Sequence, residues 1–124
     1  MPFDDPFENL EDILEHIGHI ETFLEGKSPV DLAKDQRTVF ACQYALLIIS
    51  EAAKRLGSKA EELCPGFPWR DIRGIGNRLR HAYDMLDHAL IWKVYQDDLP
   101  SLKIGVANAL ERLRTNRPES GSGV

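Results

Sequence analysis

Residues 73–84 read RGIGNRLRHAYD and contain three arginines, an asparagine, a histidine and a tyrosine. Histidine exchanges protons near neutral pH, and the arginine guanidinium is a permanent, forked donor that matches phosphate oxygens. Cleavage of RNA by transesterification needs a base for the 2′-hydroxyl, an acid for the leaving oxygen and cations for the phosphorane charge. The stretch therefore fits a metal-independent ribonuclease. An Arg-rich solvated face or a simple nucleic-acid contact would use the same residue types.

Charge is distributed unevenly along the 124 residues, whose formal net charge is −5. Residues 1–27 contain eight acidic side chains and one lysine, whereas residues 69–81 contain four arginines and one aspartate. A pI near 5.3 does not fit broad, sequence-blind binding to nucleic acid. One cationic patch on an acidic body does fit contact with a single phosphate chain at one place.

A helix through this region would have an apolar edge and a cationic edge. Ile72, Ile75 and Leu79 fall on one arc, which predicts the face that packs on the rest of the protein. The polar candidates fall on or beside the opposite arc: Asn77, His81, Arg70, Arg73, Arg78 and Arg80. The pattern predicts one polar surface on which proton transfer and phosphate binding could be combined.

Two glycines, Gly74 and Gly76, lie inside this predicted helix, where each costs about 0.8–1 kcal/mol relative to alanine. A helix with both needs an offsetting reason, such as the close approach of another backbone or of a ligand. They do not form a dinucleotide-binding fingerprint, because the third position of GxGxxG is Leu79 and no strand precedes it.

Other helices are predicted to position this segment, and no run of residues alternates as a strand does. Asp4, Asp5 and Pro6 predict the start of a first helix, which ends at Gly26. Ser28 predicts the cap of a long second helix, which breaks at residues 57–58.

The loop CPGFP precedes the cationic helix, and a last helix is predicted after Asp87 with a kink at Pro100. Together the segments predict an all-α, four- to five-helix up-and-down bundle over residues 1–115. The polar residues 116–124 are expected to form a disordered tail.

Several features argue against other classes of protein. The longest apolar run, residues 45–49, is too short to cross a bilayer. The acidic N-terminus does not fit a signal peptide. Together these features predict a cytoplasmic protein. Cys42 lies in an apolar helical register, so we expect a buried free thiol. Trp69 and Trp92 are better explained as packing anchors than as platforms for base stacking.

No metal or other cofactor is predicted. His16 and His19 are three residues apart and could share a metal ion, but EHIGHIE is not the HExxH arrangement of zinc proteases. A third ligand with recognisable spacing is missing, so we interpret both histidines as solvent-edge residues.

The segment GNRLRHAYDMLDHALIWKVYQDDLPSL resembles the signature region of HepT-like proteins, which are bacterial members of the HEPN superfamily. The likeness covers most of the chain, including the acidic first helix, SEAAKRLG and PWRDIRGIGNRLRHAYD. The family pattern is Arg, Asn, three residues, His, any residue and Tyr, and it maps onto Asn77, His81 and Tyr83.

The resemblance implies a HEPN-like bundle that forms a homodimer, with the motifs of both copies meeting in one cleft. It implies a metal-independent endoribonuclease, the toxin of a type VII-like toxin–antitoxin system. Its implied partner is a minimal nucleotidyltransferase antitoxin (MntA-like), which in some systems adds AMP to the motif tyrosine. Tyr83 is then the candidate modification site, although a half-buried bundle tyrosine would explain it equally simply.

Under this interpretation His81 is the general acid or base, and Asn77 orients the RNA. Arg73 and Arg80 are predicted to bind the scissile phosphate. Arg70 and Arg78 are predicted to make further substrate contacts.

One position departs from the family pattern, because its arginine falls on Gly76. Arg73 and Arg80 lie within about 60° of that position on a helix, so either could supply the missing guanidinium. Arg73 is the first choice, because we expect Gly76 to leave room beside it. The alternative is a catalytically inactive HEPN interaction module that binds a nucleotidyltransferase or a nucleotide.

Overall fold

The structure is a computed structural model that describes residues 5–81 and 88–116, and seven helices lie in these ranges. They are α1 (Pro6–Leu24), α2 (Pro29–Ala33), α3 (Gln36–Leu56), α4 (Ser58–Leu63), α5 (Trp69–His81), α6 (His88–Asp97) and α7 (Leu99–Asn116). The described residues contain no strand, which confirms the predicted all-α class. Because α2 and α4 are single short turns, the bundle consists of the other five helices.

Local sequence signals set the helix ends. The Asp5 carboxylate accepts a hydrogen bond from the Phe7 N–H at 2.9 Å and caps α1. Ser28 and Asp31 form a reciprocal capping box at the start of α2. Gly57 ends α3 with a φ of +56°, a left-handed value that glycine adopts without steric cost.

Two predicted helices are each divided in the structure. The second helix stops after Ala33, because Asp35 starts α3 afresh: its carboxylate accepts bonds from the Thr38 N–H at 3.1 Å and the Thr38 hydroxyl at 2.6 Å. The kink expected at Pro100 is wrong, because the chain separates α6 from α7 at Asp98. Pro100 is the second residue of α7, where a backbone N–H has no partner within the helix.

The bundle is built around α1 and α3. Helix α1 packs against α3 and α7, and α5 packs against α3. Leu10, Ile13, Ile17 and Ile20 of α1 are fully buried, at the helical spacing that makes one continuous apolar face. Burying an aliphatic side chain of this size contributes about 1.5–3 kcal/mol relative to leaving it exposed.

Helix α5 runs antiparallel to α3. Arg73, early in α5, contacts Ala53 and Gly57 at the end of α3, whereas Gly76 contacts Ser50 further back. Residue numbers that rise along α5 therefore meet numbers that fall along α3. The C-terminal turn of α5 is carried towards the N-terminal half of α3.

The predicted packing residues behave as expected. Cys42 and Cys64 are free, buried thiols. Trp69 is buried and donates its indole N–H to the Cys64 carbonyl at 2.9 Å. Trp92 is half-buried beside Tyr95, with 5.3 Å between ring centroids. None of the helices in the described ranges is both long and apolar enough to cross a membrane.

Candidate functional site

Helix α5 has the two faces that its sequence predicts. Ile72, Ile75 and Leu79 are buried on the side of α3. Asn77 and Arg78 are exposed. The helix therefore stands on an apolar base and presents at least these polar groups to solvent.

Arg70, the second residue of the same helix, is likewise exposed. Arg80 and His81 are the last two residues of α5, and their side chains lie outside the described part of the chain, as does the whole of Tyr83. A helix rises about 1.5 Å per residue, so the His81 backbone lies about 7.5 Å beyond Gly76 along α5. The roles predicted for Arg80, His81 and Tyr83 stay predictions.

Arg73 is held by protein acceptors. Its guanidinium donates to the Gly57 carbonyl at 2.7 Å, to the Glu61 carboxylate at 2.7 Å and to the Ala53 carbonyl at 3.4 Å. The hydrogen bond from Arg73 lowers the pKa of Glu61, which keeps the ion pair charged in mildly acidic solution. Arg73 thus closes the C-terminal end of α3 and ties it to α4.

This arrangement bears on the phosphate site. The side chain of Arg73 is 26% exposed, whereas that of its partner Glu61 is 52% exposed. A phosphate could bind Arg73 only by competing with Glu61 or by sharing its guanidinium. Arg73 is therefore engaged by protein acceptors, whereas Asn77 and Arg78 are exposed.

Gly76 is buried against α3. A Cβ at this position would lie 3.2 Å from the Ser50 hydroxyl and 3.3 Å from a methyl carbon of Leu47, both tighter than ordinary contacts. The room expected beside Gly76 for Arg73 is therefore absent, because α3 fills it. An interior glycine predicted that another group approaches the helix closely, and this is confirmed at Gly76. The approaching groups are the side chains of Ser50 and Leu47, not a backbone or a ligand.

Gly74 has no such explanation. Among the described residues, nothing lies within 4 Å of a Cβ built at this position, and its φ is not in the left-handed region. The structure gives no packing reason for this glycine.

Ser50 is the residue at this site that the sequence interpretation missed. Its hydroxyl donates to the Arg73 carbonyl at 2.8 Å and accepts from the Gly76 N–H at 3.3 Å. A serine inside the apolar seam of a long helix, together with an interior glycine on a neighbouring helix, was the available signal. It could not show that the two residues meet.

Acidic groups lie beside the cationic helix at the junction of α6 and α7. Burial raises the pKa of Asp98, and the nearby charges of Asp97 and Asp71 raise it further. Lys93 and Arg78 act in the opposite direction. Because both Asp71 and Arg78 influence Asp98, this junction lies near the face of α5 that carries these two residues.

An exposed apolar stripe follows α3 next to α5. Phe40 and Tyr44 are 53% and 64% exposed, and Leu47 continues the same face one turn later. Leu47 is also the residue that lies against Gly76. Because α3 and α5 are antiparallel, Tyr44 is level with the C-terminal turn of α5. We refer to Phe40, Tyr44 and Leu47 as the apolar stripe.

The two histidines of α1 form a separate cluster. Glu15, His16 and His19 can bring one ligand atom each to within 4.8 Å of one another. A ring nitrogen of His16 already contacts the Asp12 carbonyl at 2.8 Å. All three residues come from one helix, and no residue of another helix joins them in the described ranges. The cluster lies apart from the residues of α5.

Comparison with known proteins supports the resemblance seen in the sequence. Residues 13–109 match the family described as ribonuclease HepT-like. A protein from Thermococcus cleftensis, named as a probable ribonuclease HepT, is 40% identical over 94 residues, which cover 76% of this chain and 86% of the relative. A relative from Methanocaldococcus jannaschii, provisionally named as an RNase, is 31% identical over the same shares of the two chains. No solved structure matches the chain significantly.

Proposed function

The chain belongs to the ribonuclease HepT-like family, and we propose from that premise that it is a metal-independent endoribonuclease. The observation that carries the proposal is the form of α5: a helix anchored by its apolar edge, with Asn77 and Arg78 exposed and His81 as its last residue. The family match spans this helix and the elements that hold it.

The proposed reaction is transesterification at a phosphodiester. A base removes the proton of the 2′-hydroxyl, the O2′–phosphorus bond forms, and the bond from phosphorus to the 5′-oxygen breaks as that oxygen gains a proton. The products are a 2′,3′-cyclic phosphate and a 5′-hydroxyl. His81 transfers protons, Asn77 orients the RNA, and Arg78 and Arg80 stabilise the phosphorane charge with Arg70 further along the strand. Arg73 contributes only where it is released from Glu61.

We propose that the active form is a homodimer with a composite cleft. The reaction needs both a base and an acid, and the motif of one chain supplies one histidine. The apolar stripe supports association of two copies, because it exposes two aromatic side chains, one of which is level with the end of α5. Aromatic residues in such a patch are typical anchors of protein interfaces.

The proposed biological setting is a type VII-like toxin–antitoxin system. The chain acts in the cytoplasm as the toxin, and a minimal nucleotidyltransferase antitoxin (MntA-like) is its partner. Tyr83, two residues beyond His81, is the proposed site of AMP addition. The added phosphate group would bring negative charge into the motif segment, and that charge would repel the RNA phosphate.

The alternative is a catalytically inactive interaction module that binds the nucleotidyltransferase or a nucleotide. Two observations favour it: position 76 has no side chain, and Arg73 is engaged by Glu61. The first removes the arginine that the family pattern implies, and the second engages the arginine that was predicted to replace it.

The chemistry can be tested on a defined RNA oligonucleotide in the presence of EDTA. We expect cleavage to give 2′,3′-cyclic phosphate and 5′-hydroxyl ends, and a single 2′-deoxy substitution at the cleaved position to abolish it. Products with 5′-phosphate ends, or cleavage that EDTA removes, would contradict the metal-independent mechanism. No cleavage of any RNA would favour the interaction module.

A further inference from the structure

Ser50 is an unusual residue for the centre of this bundle. Among the described residues, only Ser50 and Asn9 are polar side chains with so little exposure, and Ser50 is fully buried. A buried hydroxyl is costly unless it is hydrogen-bonded. Both of its bonds are to the backbone of α5, so its polar function is directed entirely at that helix.

The two bonds constrain α5 in two ways. The hydroxyl donates to the Arg73 carbonyl at 2.8 Å and accepts from the Gly76 N–H at 3.3 Å. These groups are three residues apart, almost one turn, on the inner side of α5. One side chain therefore fixes both the rotation of α5 about its axis and its axial position against α3.

Gly76 makes this contact possible. A Cβ there would lie 3.2 Å from the Ser50 hydroxyl and 3.6 Å from its Cβ, so a larger residue would push α3 and α5 apart. With glycine, the hydroxyl reaches the helix backbone itself. Ser50 and Gly76 thus form one unit, which we call the serine–glycine lock.

The lock lies directly before the functional residues. Asn77 directly follows Gly76, and His81 is five residues beyond Gly76. For a helix whose side chains extend about 5–6 Å from the axis, a rotation of about 10° displaces a surface group by about 1 Å. A displacement of that size in reacting groups can lower a rate by about 100-fold.

We propose that Ser50 is a positioning residue for catalysis, acting through the backbone of α5 and never touching the RNA. The inference rests on the proposed ribonuclease activity, and it adds a residue outside the family motif. Ser50 sets the orientation of the α5 backbone that carries Asn77, Arg78 and His81. Arg73 also holds this turn of α5, through its bonds to the end of α3 and to Glu61 of α4.

The kinetic test compares Ser50→Ala with Ile13→Val, a buried change on α1, a helix that packs mainly against α3 and α7. Both are assayed on a defined RNA well below their unfolding temperatures, after their stabilities have been measured. We expect Ser50→Ala to lower kcat at least about tenfold with KM nearly unchanged, and Ile13→Val to cleave like wild type. An unchanged kcat in Ser50→Ala, or an equal loss in Ile13→Val at matched stability, would overturn the proposal.

A second measurement separates this inference from the proposed function. In backbone amide NMR spectra, Ser50→Ala should shift the signals of Gly76 and of residues 77–81 and leave those of α1 in place. If wild type does not cleave RNA but these shifts occur, the lock stands and the ribonuclease proposal fails. If the signals of residues 77–81 do not move, the lock is refuted whatever the activity.

Discussion

At the residue scale, Gly74 and Gly76 lie two positions apart on α5 in opposite environments. No described residue lies within 4 Å of a Cβ built at Gly74, whereas Gly76 is pressed against Ser50 and Leu47. Helix propensity alone treats the two glycines as equal. Only the packing distinguishes them. Alanine substitutions at the two positions should therefore separate the effect of helix propensity from the effect of packing against α3.

We expect Gly74→Ala to raise the free energy of unfolding by about 0.5–1 kcal/mol. The substitution lowers the backbone entropy of the unfolded chain, and the added methyl group meets no described residue. Gly76→Ala should be at least about 1 kcal/mol less stable than Gly74→Ala, since its methyl group overpacks the contact with α3. Urea unfolding of both variants measures the difference. Equal stabilities would contradict the tight contact at Gly76.

A second residue-scale prediction concerns Cys42. Burial raises the pKa of its thiol from 9.0 to about 11. Between these values the folded protein keeps a proton that the unfolded chain loses, so this group makes the free energy of unfolding fall as pH rises from about 9 to 11. Below about pH 9 the thiol is protonated in both the folded and the unfolded chain, and its contribution to the free energy of unfolding is fully present.

The prediction is measured by urea unfolding at several pH values across that window for wild type and Cys42→Ala. Cys42→Ala is expected to lose less stability per pH unit, because it lacks the buried thiol. Other groups that titrate at alkaline pH are present in both proteins, so their effects cancel in the comparison. Parallel pH profiles would show that Cys42 is not protected as the structure requires.

At the scale of elements, Arg73 joins three helices. It belongs to α5, it donates to two carbonyls at the end of α3, and it pairs with Glu61 of α4. Each carbonyl also accepts one backbone hydrogen bond, and a guanidinium at a helix C-terminus adds a charged donor that suits the helix dipole. The residue therefore stabilises the framework on which the motif helix stands.

We expect Arg73→Ala to lower the free energy of unfolding by about 1–3 kcal/mol, because it leaves partly buried carbonyls without their charged donor. Arg70→Ala is the matched control, an exposed arginine on the same helix whose loss should cost less than about 0.5 kcal/mol. Thermal and urea unfolding provide the comparison. If the two variants were equally stable, the capping role assigned to Arg73 would be wrong.

The element scale also shows how far the sequence can be interpreted unaided. The apolar arc of Ile72, Ile75 and Leu79 correctly predicted which face of α5 is buried, because periodicity records burial directly. The role of Gly76 could not be predicted, since it depends on the register between α5 and α3. Sequence spacing within one helix carries no information about the side chains of another helix.

The divided helices have a similar cause. Asp35 and Thr38 form a local cap that starts a new helix, whereas the apolar pattern favours one continuous helix. The pattern alone could not show which of the two would determine the structure. Arg73 was placed correctly on its helix, but its partners Glu61 and Gly57 come from α4 and from the end of α3. For the candidate site, residue types were predictable and their contacts were not.

At the scale of the whole molecule, the apolar stripe on α3 adjoins the cationic helix of an otherwise acidic protein. Two aromatic side chains more than half exposed are costly in a monomer and typical of an interface. Pairing two copies through this face would bring two α5 helices, and so two histidines, towards one another. Like-charged arginines in such a cleft would then be neutralised by RNA.

We expect wild type to sediment as a dimer, and Phe40→Ser combined with Tyr44→Ser to sediment as a monomer with at least tenfold less RNA cleavage. Ile104→Ser is the control, because Ile104 is 65% exposed on α7, away from the stripe. Analytical ultracentrifugation and the RNA assay are run on the same preparations. A double variant that remained dimeric would place the interface elsewhere.

The most direct test of the central claim is cleavage of cellular RNA with EDTA present by wild type, His81→Ala and His88→Ala. His88 starts α6 and has no assigned role, so it controls for the loss of an imidazole. We predict that wild type and His88→Ala cleave, and that His81→Ala loses at least about 100-fold in rate. Equal cleavage by all three proteins would contradict catalysis by the motif helix, and the absence of cleavage in wild type would identify the chain as an interaction module.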